Sequence, residues 1–156
     1  MLHLTLTRFG RVSLLFGCTA ISATALQAQQ FQYQVGLLPG TVWTEGVEAA
    51  DVDNDGDFDL FFAEGEGFSF AGAQRQNKLM INQVQPGSAL SFTDESVARL
   101  GVHLSNAKGV FTADIDDDGW IDAMFANAFN TDPPFLYMNR GAAQPGFFDE
   151  EGSVRG

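Results

Sequence analysis

The stretch Asp51-Val52-Asp53-Asn54-Asp55-Gly56-Asp57-Phe58-Asp59 returns 63 residues later as Asp114-Ile115-Asp116-Asp117-Asp118-Gly119-Trp120-Ile121-Asp122. Both copies read D-x-D-x-D-G-x-x-D, and together they hold ten of the chain's twenty acidic residues. Carboxylates at the first, third, fifth and ninth places put four hard oxygen ligands into one tight loop. The seventh residue can add a backbone carbonyl, and water completes the shell that Ca²⁺ prefers. The glycine at the sixth place has no Cβ, so it can take the positive φ that turns the chain back and aims the ninth-place aspartate at the same point. Simple surface solvation does not concentrate like charges in this way, because at such spacing they repel.

Outward from the loops, the sequence turns to short apolar runs separated by turn residues. Residues 47–51 lead into the first loop, and Asp59-Leu60-Phe61-Phe62-Ala63 leads out of it. Both flanks are short and the exit is aromatic, which predicts a hairpin closed by the loop rather than two helices. Residues 64–76 are rich in Gly, Ser and Ala and predict a long surface connection. Lys78-Leu79-Met80-Ile81-Asn82 predicts a third strand, Pro86-Gly87 a turn, and Leu90-Ser91-Phe92-Thr93 a fourth strand. The same order then restarts: residues 109–114 match 46–51, 135–139 match 78–82, and 148–151 match 92–95. This period of about sixty residues predicts repeat units at 46–108 and 109–156. Ahead of them, Phe31, Tyr33 and Val35 alternate with glutamines, the period of a half-buried extra strand at 31–35, and Pro39-Gly40 marks a turn.

An EF-hand also opens with carboxylates at its first, third and fifth places, but it needs a bidentate Glu at the twelfth and a helix on each side. Phe62 and Phe125 stand at the twelfth place here and cannot ligate, so EF-hand and dockerin readings both fail. With its G-V-x-x-A-D-x-D-x-D-G-x-x-D units, N-x-L-x-x-N at Asn77 to Asn82 and F-x-D at Phe92 to Asp94, the chain resembles the FG-GAP or VCBS repeat family. These are the calcium-loop blades of integrin-α-like β-propellers, and the resemblance is nearest to bacterial secreted VCBS proteins and their cartilage-acidic-protein-like relatives. It covers essentially all of residues 29–156, although the literal Phe-Gly and Gly-Ala-Pro signatures are absent. Ala63-Glu64-Gly65 and Ala126-Asn127-Ala128 fall where the latter would stand. The resemblance implies an all-β fold of two four-stranded antiparallel blades, an incomplete propeller, with Ca²⁺ in the loop joining the first two strands of each. The implied ligands are Asp51, Asp53, Asp55 and Asp59, then Asp114, Asp116, Asp118 and Asp122, with the carbonyls of Asp57 and Trp120 at the seventh place. The side chains of Asp57 and Asp117 are expected to face solvent, and Trp43 and Trp120 to pack rather than to serve as ligand platforms.

Composition narrows the function classes. With 156 residues, 45 % of them hydrophobic and 15 of them Phe, the chain can build the core of one domain. A formal charge of −12 argues against nucleic acid and against anionic membrane surfaces, and favours bound cations. Arg8 and Arg11 precede an apolar run at 12–26, and Ala28 offers a small residue for cleavage. Residues 1–28 therefore read as a secretory signal peptide, too short in its apolar part for a membrane span. Leu15-Phe16-Gly17-Cys18 offers a lipoprotein-type cleavage as a second reading. Removal of 1–28 takes away two positive side chains, moving the charge from −12 to −14, and takes away Cys18 and His3. No thiol then remains for disulfides, thiolate metal sites or a nucleophile, and His103, expected at a surface turn beside Gly101, is the one histidine left.

The function expected from this reading is a secreted, non-enzymatic module that binds two Ca²⁺ ions and plays a structural or adhesive role toward an extracellular protein or carbohydrate. The alternative is a non-catalytic fragment of a larger extracellular propeller enzyme, such as one that degrades polysaccharide. Two blades without neighbours leave apolar faces and open strand edges, so self-association is also expected.

Overall fold

The computed structural model describes residues 36–38, 43–129 and 133–152, all within one compact unit, Gln34–Gly156. The expected signal peptide at 1–28, the strand at 31–35 and the Pro39-Gly40 turn lie outside the described residues. The chain runs β1 (Thr44–Ala50), β2 (Asp59–Glu64), β3 (Arg75–Gln76), β4 (Lys78–Asn82), β5 (Phe92–Asp94), α1 (Ser96–Leu100), β6 (Leu104–Ser105), β7 (Ala107–Ala113), β8 (Asp122–Asn127), β9 (Phe135–Asn139), a short 3₁₀ turn (Gly141–Ala143) and β10 (Phe148–Glu150). It is mostly β and its strand pairs are antiparallel. No helix among the described residues is long and apolar enough to cross a membrane.

The expected hairpins and strand order are present. One four-stranded sheet runs β1-β2-β4-β5, with β3 outside it, and a second runs β10-β9-β8-β7, a meander of consecutive strands. The acidic loops join β1 to β2 and β7 to β8. Both first strands carry an irregularity at the same place, between Thr44 and Gly46 and between Ala107 and Gly109. The two glycines meet there: a Cβ on Gly46 would lie 3.1 Å from the Gly109 Cα, a tight contact, so the bare backbone at Gly46 helps β1 and β7 approach this closely.

Several boundaries differ from the sequence reading. The first strands begin at Thr44 and Ala107, so a unit boundary at 108/109 falls inside β7. The fourth strand sits at Phe92–Asp94, one residue later at its end than expected. The connection expected over 64–76 is structured at both ends. Glu64 closes β2, and Arg75–Gln76 pairs with Leu104–Ser105 in a two-stranded sheet. Asn106, 1 % exposed, pins the loop between by donating to the carbonyls of Glu66 (3.0 Å) and Ala73 (3.2 Å). Helix α1 was not expected. Asp94 Oδ1 accepts hydrogen bonds from the backbone N and the hydroxyl of Ser96 at its start, and Gly101 at φ 78° ends it.

The core lies between the sheets. Ala50, Val52, Phe61, Ala63, Leu79 and Ile81 from the first sheet and its loop face Ala107, Val110, Ala123, Phe125, Tyr137 and Phe148 of the second, with Leu100 of α1 completing the cluster. Phe61 stands at the centre, edge-on to Phe125 (centroids 6.0 Å apart) and to Phe148 (5.8 Å), the T-shaped geometry that aromatic quadrupoles favour.

Candidate metal centre

Each acidic loop is built by its own backbone. In the first, Asp51 accepts hydrogen bonds from the amides of Asp55 (3.1 Å) and Gly56 (3.0 Å), and Asp55 Oδ1 accepts one from Asp57 N (3.0 Å). In the second, Asp114 accepts from Asp118 N (3.0 Å) and Gly119 N (2.8 Å), and Asp118 Oδ1 from Trp120 N (2.9 Å). The fourth and sixth places are left-handed in both: Asn54 at 57° and Gly56 at 95°, Asp117 at 62° and Gly119 at 88°. Glycine takes that conformation freely, and Asn and Asp tolerate it best among residues with a side chain.

The ninth-place aspartates tie the loops to the sheets. Asp59 is 1 % exposed and accepts from Val52 N (3.1 Å) across the loop and from Asn82 N (2.8 Å) at the end of β4. Asp122, also 1 % exposed, accepts from Ile115 N (2.9 Å) and from Asn139 N (2.8 Å) at the end of β9. Asn82 and Asn139 return a bond from their side-chain amides to the loop's eighth residue, Phe58 O at 3.2 Å and Ile121 O at 3.0 Å. The asparagine that ends the third strand of each sheet therefore clamps that sheet's own loop.

The result is one cluster per loop. Carboxylate oxygens of Asp51, Asp53 and Asp59 lie within 4.8 Å of one another, as do those of Asp114, Asp116 and Asp122. Of the eight carboxylates expected as ligands, these six are brought together, while Asp55 and Asp118 stand outside the two clusters and cap the amides two residues on. Asp117 is exposed, and Asp57 and Trp120 are half-buried with their amides held as described. The Trp120 ring packs against Gly141, where a Cβ would lie 3.2 Å from its Cδ1.

Burial disfavours the charged form at Asp53, Asp59 and Asp122. Burial pushes Asp59 up to about 6, although the Asn82 and Val52 amides oppose the shift and Asp53 adds to it. Burial also raises Asp53, with Asp55 adding to the effect and Arg99 opposing it, and burial raises Asp122. Asp53 Oδ1 is buried with no hydrogen-bond partner.

Compared with known proteins, the chain matches no family model, no curated protein and no solved structure. The chemistry of the donor set is then the guide. It offers carboxylates alone, without imidazole or thiolate, the set that suits a hard divalent cation rather than zinc or copper. A cation at the centre of the first cluster would take Asp53 Oδ1 as a ligand and offset the burial, and the smaller repulsion from Asp53, that raise Asp59.

Two residues at the first loop lie outside the motif. Arg99 of α1 sits 3.4 Å from Asp53 Oδ2, donates to Glu95 Oε2 (2.6 Å) and to Pro145 O (3.1 Å), and lies 4.9 Å over the Phe147 ring. Asn139 Nδ2 reaches across from the second sheet to Val52 O at 2.8 Å. Arg99 and Asp53 are 46 residues apart in the chain. No local pattern links them, although an arginine among so few cations in an acidic chain was a signal that could have been followed. His103 is half-buried rather than a surface turn residue: its Nδ1 is 2.9 Å from the hydroxyl of Tyr137, which is fully buried and whose acidity burial suppresses.

Proposed function

We propose that the chain is an extracellular calcium-binding repeat module of the FG-GAP or VCBS type, with two Ca²⁺ sites and a structural or adhesive role. The observation that carries the reading is the duplication: two loops with the same ligand spacing, the same left-handed positions and the same amide bonds each gather three carboxylates. Two carboxylates about 4 Å apart repel by roughly 4 kcal/mol at an effective dielectric of 20, so three in one loop favour a divalent counter-ion. Asp51, Asp53 and Asp59 would hold one ion and Asp114, Asp116 and Asp122 the other. Ca²⁺ suits these loops better than Mg²⁺, which demands near-ideal octahedral geometry and resists dehydration. The ion's role would be to set the loop between the first two strands of each sheet, and with it the sheet's end.

Calorimetric titration of chelator-stripped protein with Ca²⁺ should give two ions per chain, and Asp53→Asn and Asp116→Asn should each give one. Ion binding to the folded state should raise the melting temperature by mass action. Absence of binding heat together with a melting temperature indifferent to chelator would overturn the reading. A stoichiometry of two in both variants would overturn the ligand assignment.

A further inference from the structure

The two sheets are stacked front to back, with outer faces that match and that no third sheet covers among the described residues, although Met80 and Met138 on them are buried. In the first sheet, Phe61 and Leu79 point at the second sheet and are fully buried, while Val47 on the opposite face is 52 % exposed and Phe62 beside it is half-buried. In the second sheet the pattern inverts. Val110 and Phe125, the equivalents of Val47 and Phe62, are buried against the first sheet. Phe111 and Met124, on the other face, are 57 % and 39 % exposed. The outer face of each sheet is therefore the counterpart of a face already buried inside the molecule. Phe111, Met124 and Leu136 are neighbours in register and form one apolar stripe, with exposed Ile115 at its loop end. Val47 and Phe62 pair on the other outer face.

We propose that these outer faces bind each other between copies of this chain, the second sheet of one copy seating the first sheet of the next in the geometry of the internal junction. The polar groups at the rim support the match. Inside the molecule Asn139 Nδ2 bonds both its own loop, at Ile121 O, and the preceding loop, at Val52 O. Asn82, its equivalent, bonds Phe58 O but has no second loop within reach among the described residues. In the proposed junction Asn82 of one copy reaches Ile115 O of the other. Lys108 and Glu45 occupy equivalent positions and pair internally at 2.8 Å. The same two positions meet again at the junction with the charges exchanged, so attraction is preserved. Because the two faces differ, the contact is head-to-tail and propagates to a closed ring or an open stack rather than stopping at a symmetric pair. The inference does not depend on the calcium reading, because it rests on the packing faces alone.

Complementary blocking tests it. Val47→Asp spoils one face and Phe111→Asp the other, both at exposed positions. Sedimentation velocity of the full chain in Ca²⁺ should show concentration-dependent species larger than a monomer for the unmodified protein, and monomers for each variant alone. An equimolar mixture of the two variants should give a one-to-one dimer and nothing larger, since one intact face of each kind remains. A monomeric unmodified chain, a variant that still assembles alone, or a mixture that stays monomeric overturns the proposal. If either variant fails to show a cooperative melt, Ala49→Lys and Met124→Lys replace them on the same two faces, with the same outcomes decisive.

Discussion

Phe61 and Met124 occupy the same place in two sheets of the same strand order, yet Phe61 is fully buried and Met124 is 39 % exposed. Val47 and Val110 show the reverse, at 52 % and 4 %. The loops above them differ in the same sense. Val52 is sealed in the core beneath Asn139 and the first cluster is flanked by Arg99, whereas Ile115, its equivalent, is 46 % exposed. Each repeat makes its own hairpin, loop and clamp from residues within it, and the similarity is complete at that level. What a face or a loop then experiences depends on whether another repeat lies against it.

The largest effect expected from this difference is in the core. Phe61→Ala should cost about 3–5 kcal/mol, the usual loss when a buried aromatic side chain leaves a cavity. Met124→Ala at the equivalent site should cost less than about 1 kcal/mol in dilute, monomeric protein. Urea unfolding in Ca²⁺ measures both, and equal losses would break the comparison between the sheets.

A middle-sized effect is expected at the loops. The Arg99 guanidinium competes with any cation for Asp53. Arg99→Met keeps an unbranched side chain of similar reach and removes the charge, so the first loop should bind Ca²⁺ about tenfold more tightly, a gain of about 1.4 kcal/mol. The second loop should be unchanged. Titration in an Asp116→Asn background isolates the first loop and an Asp53→Asn background the second. A change at both loops, or at neither, would show that the guanidinium does not distinguish them.

The smallest effect compares Glu64 with Asn127, which end β2 and β8 at equivalent positions and each leave one oxygen buried without a partner. Burial raises Glu64 above its ordinary 4.5, with Thr44 opposing the shift through a 2.7 Å hydrogen bond. A carboxyl group raised in the folded state contributes stability that is fully present below the unfolded value and is lost as pH rises through the folded one. Glu64→Gln should therefore match the unmodified protein near pH 4 and exceed it at pH 7, by less than about 1 kcal/mol. Thermal melts across that range check it. Asn127→Ala, which removes no titrating group, should leave the pH dependence unchanged.

The parts of this architecture that were legible in the sequence are those governed by short-range chemistry. The Asp and Gly spacing foretold the loop and its left-handed sixth place, because one backbone can satisfy that spacing in few ways. The apolar runs located β2, β4, β9 and β10 to within a residue or so. Helix α1 escaped notice because five residues are too few to show a helical period, and the β3–β6 pair because two-residue strands carry no alternation. Asp55 and Asp118 have the ligand spacing, and their side chains also bond amides two residues on, contacts that only the folded loop displays.

The sequence by itself determined the hairpins, the duplicated acidic loops and the repeat, since each depends on residues close together along the chain. Only the tertiary structure decided which face of each sheet is core, that Val52 is sealed while Ile115 is open, and that Arg99 stands at the first cluster and not at the second. The reason is physical. Val47 and Val110, or Phe62 and Phe125, have the same intrinsic hydrophobicity in the chain. Whether that apolar surface leaves water depends on a neighbouring sheet held tens of residues away.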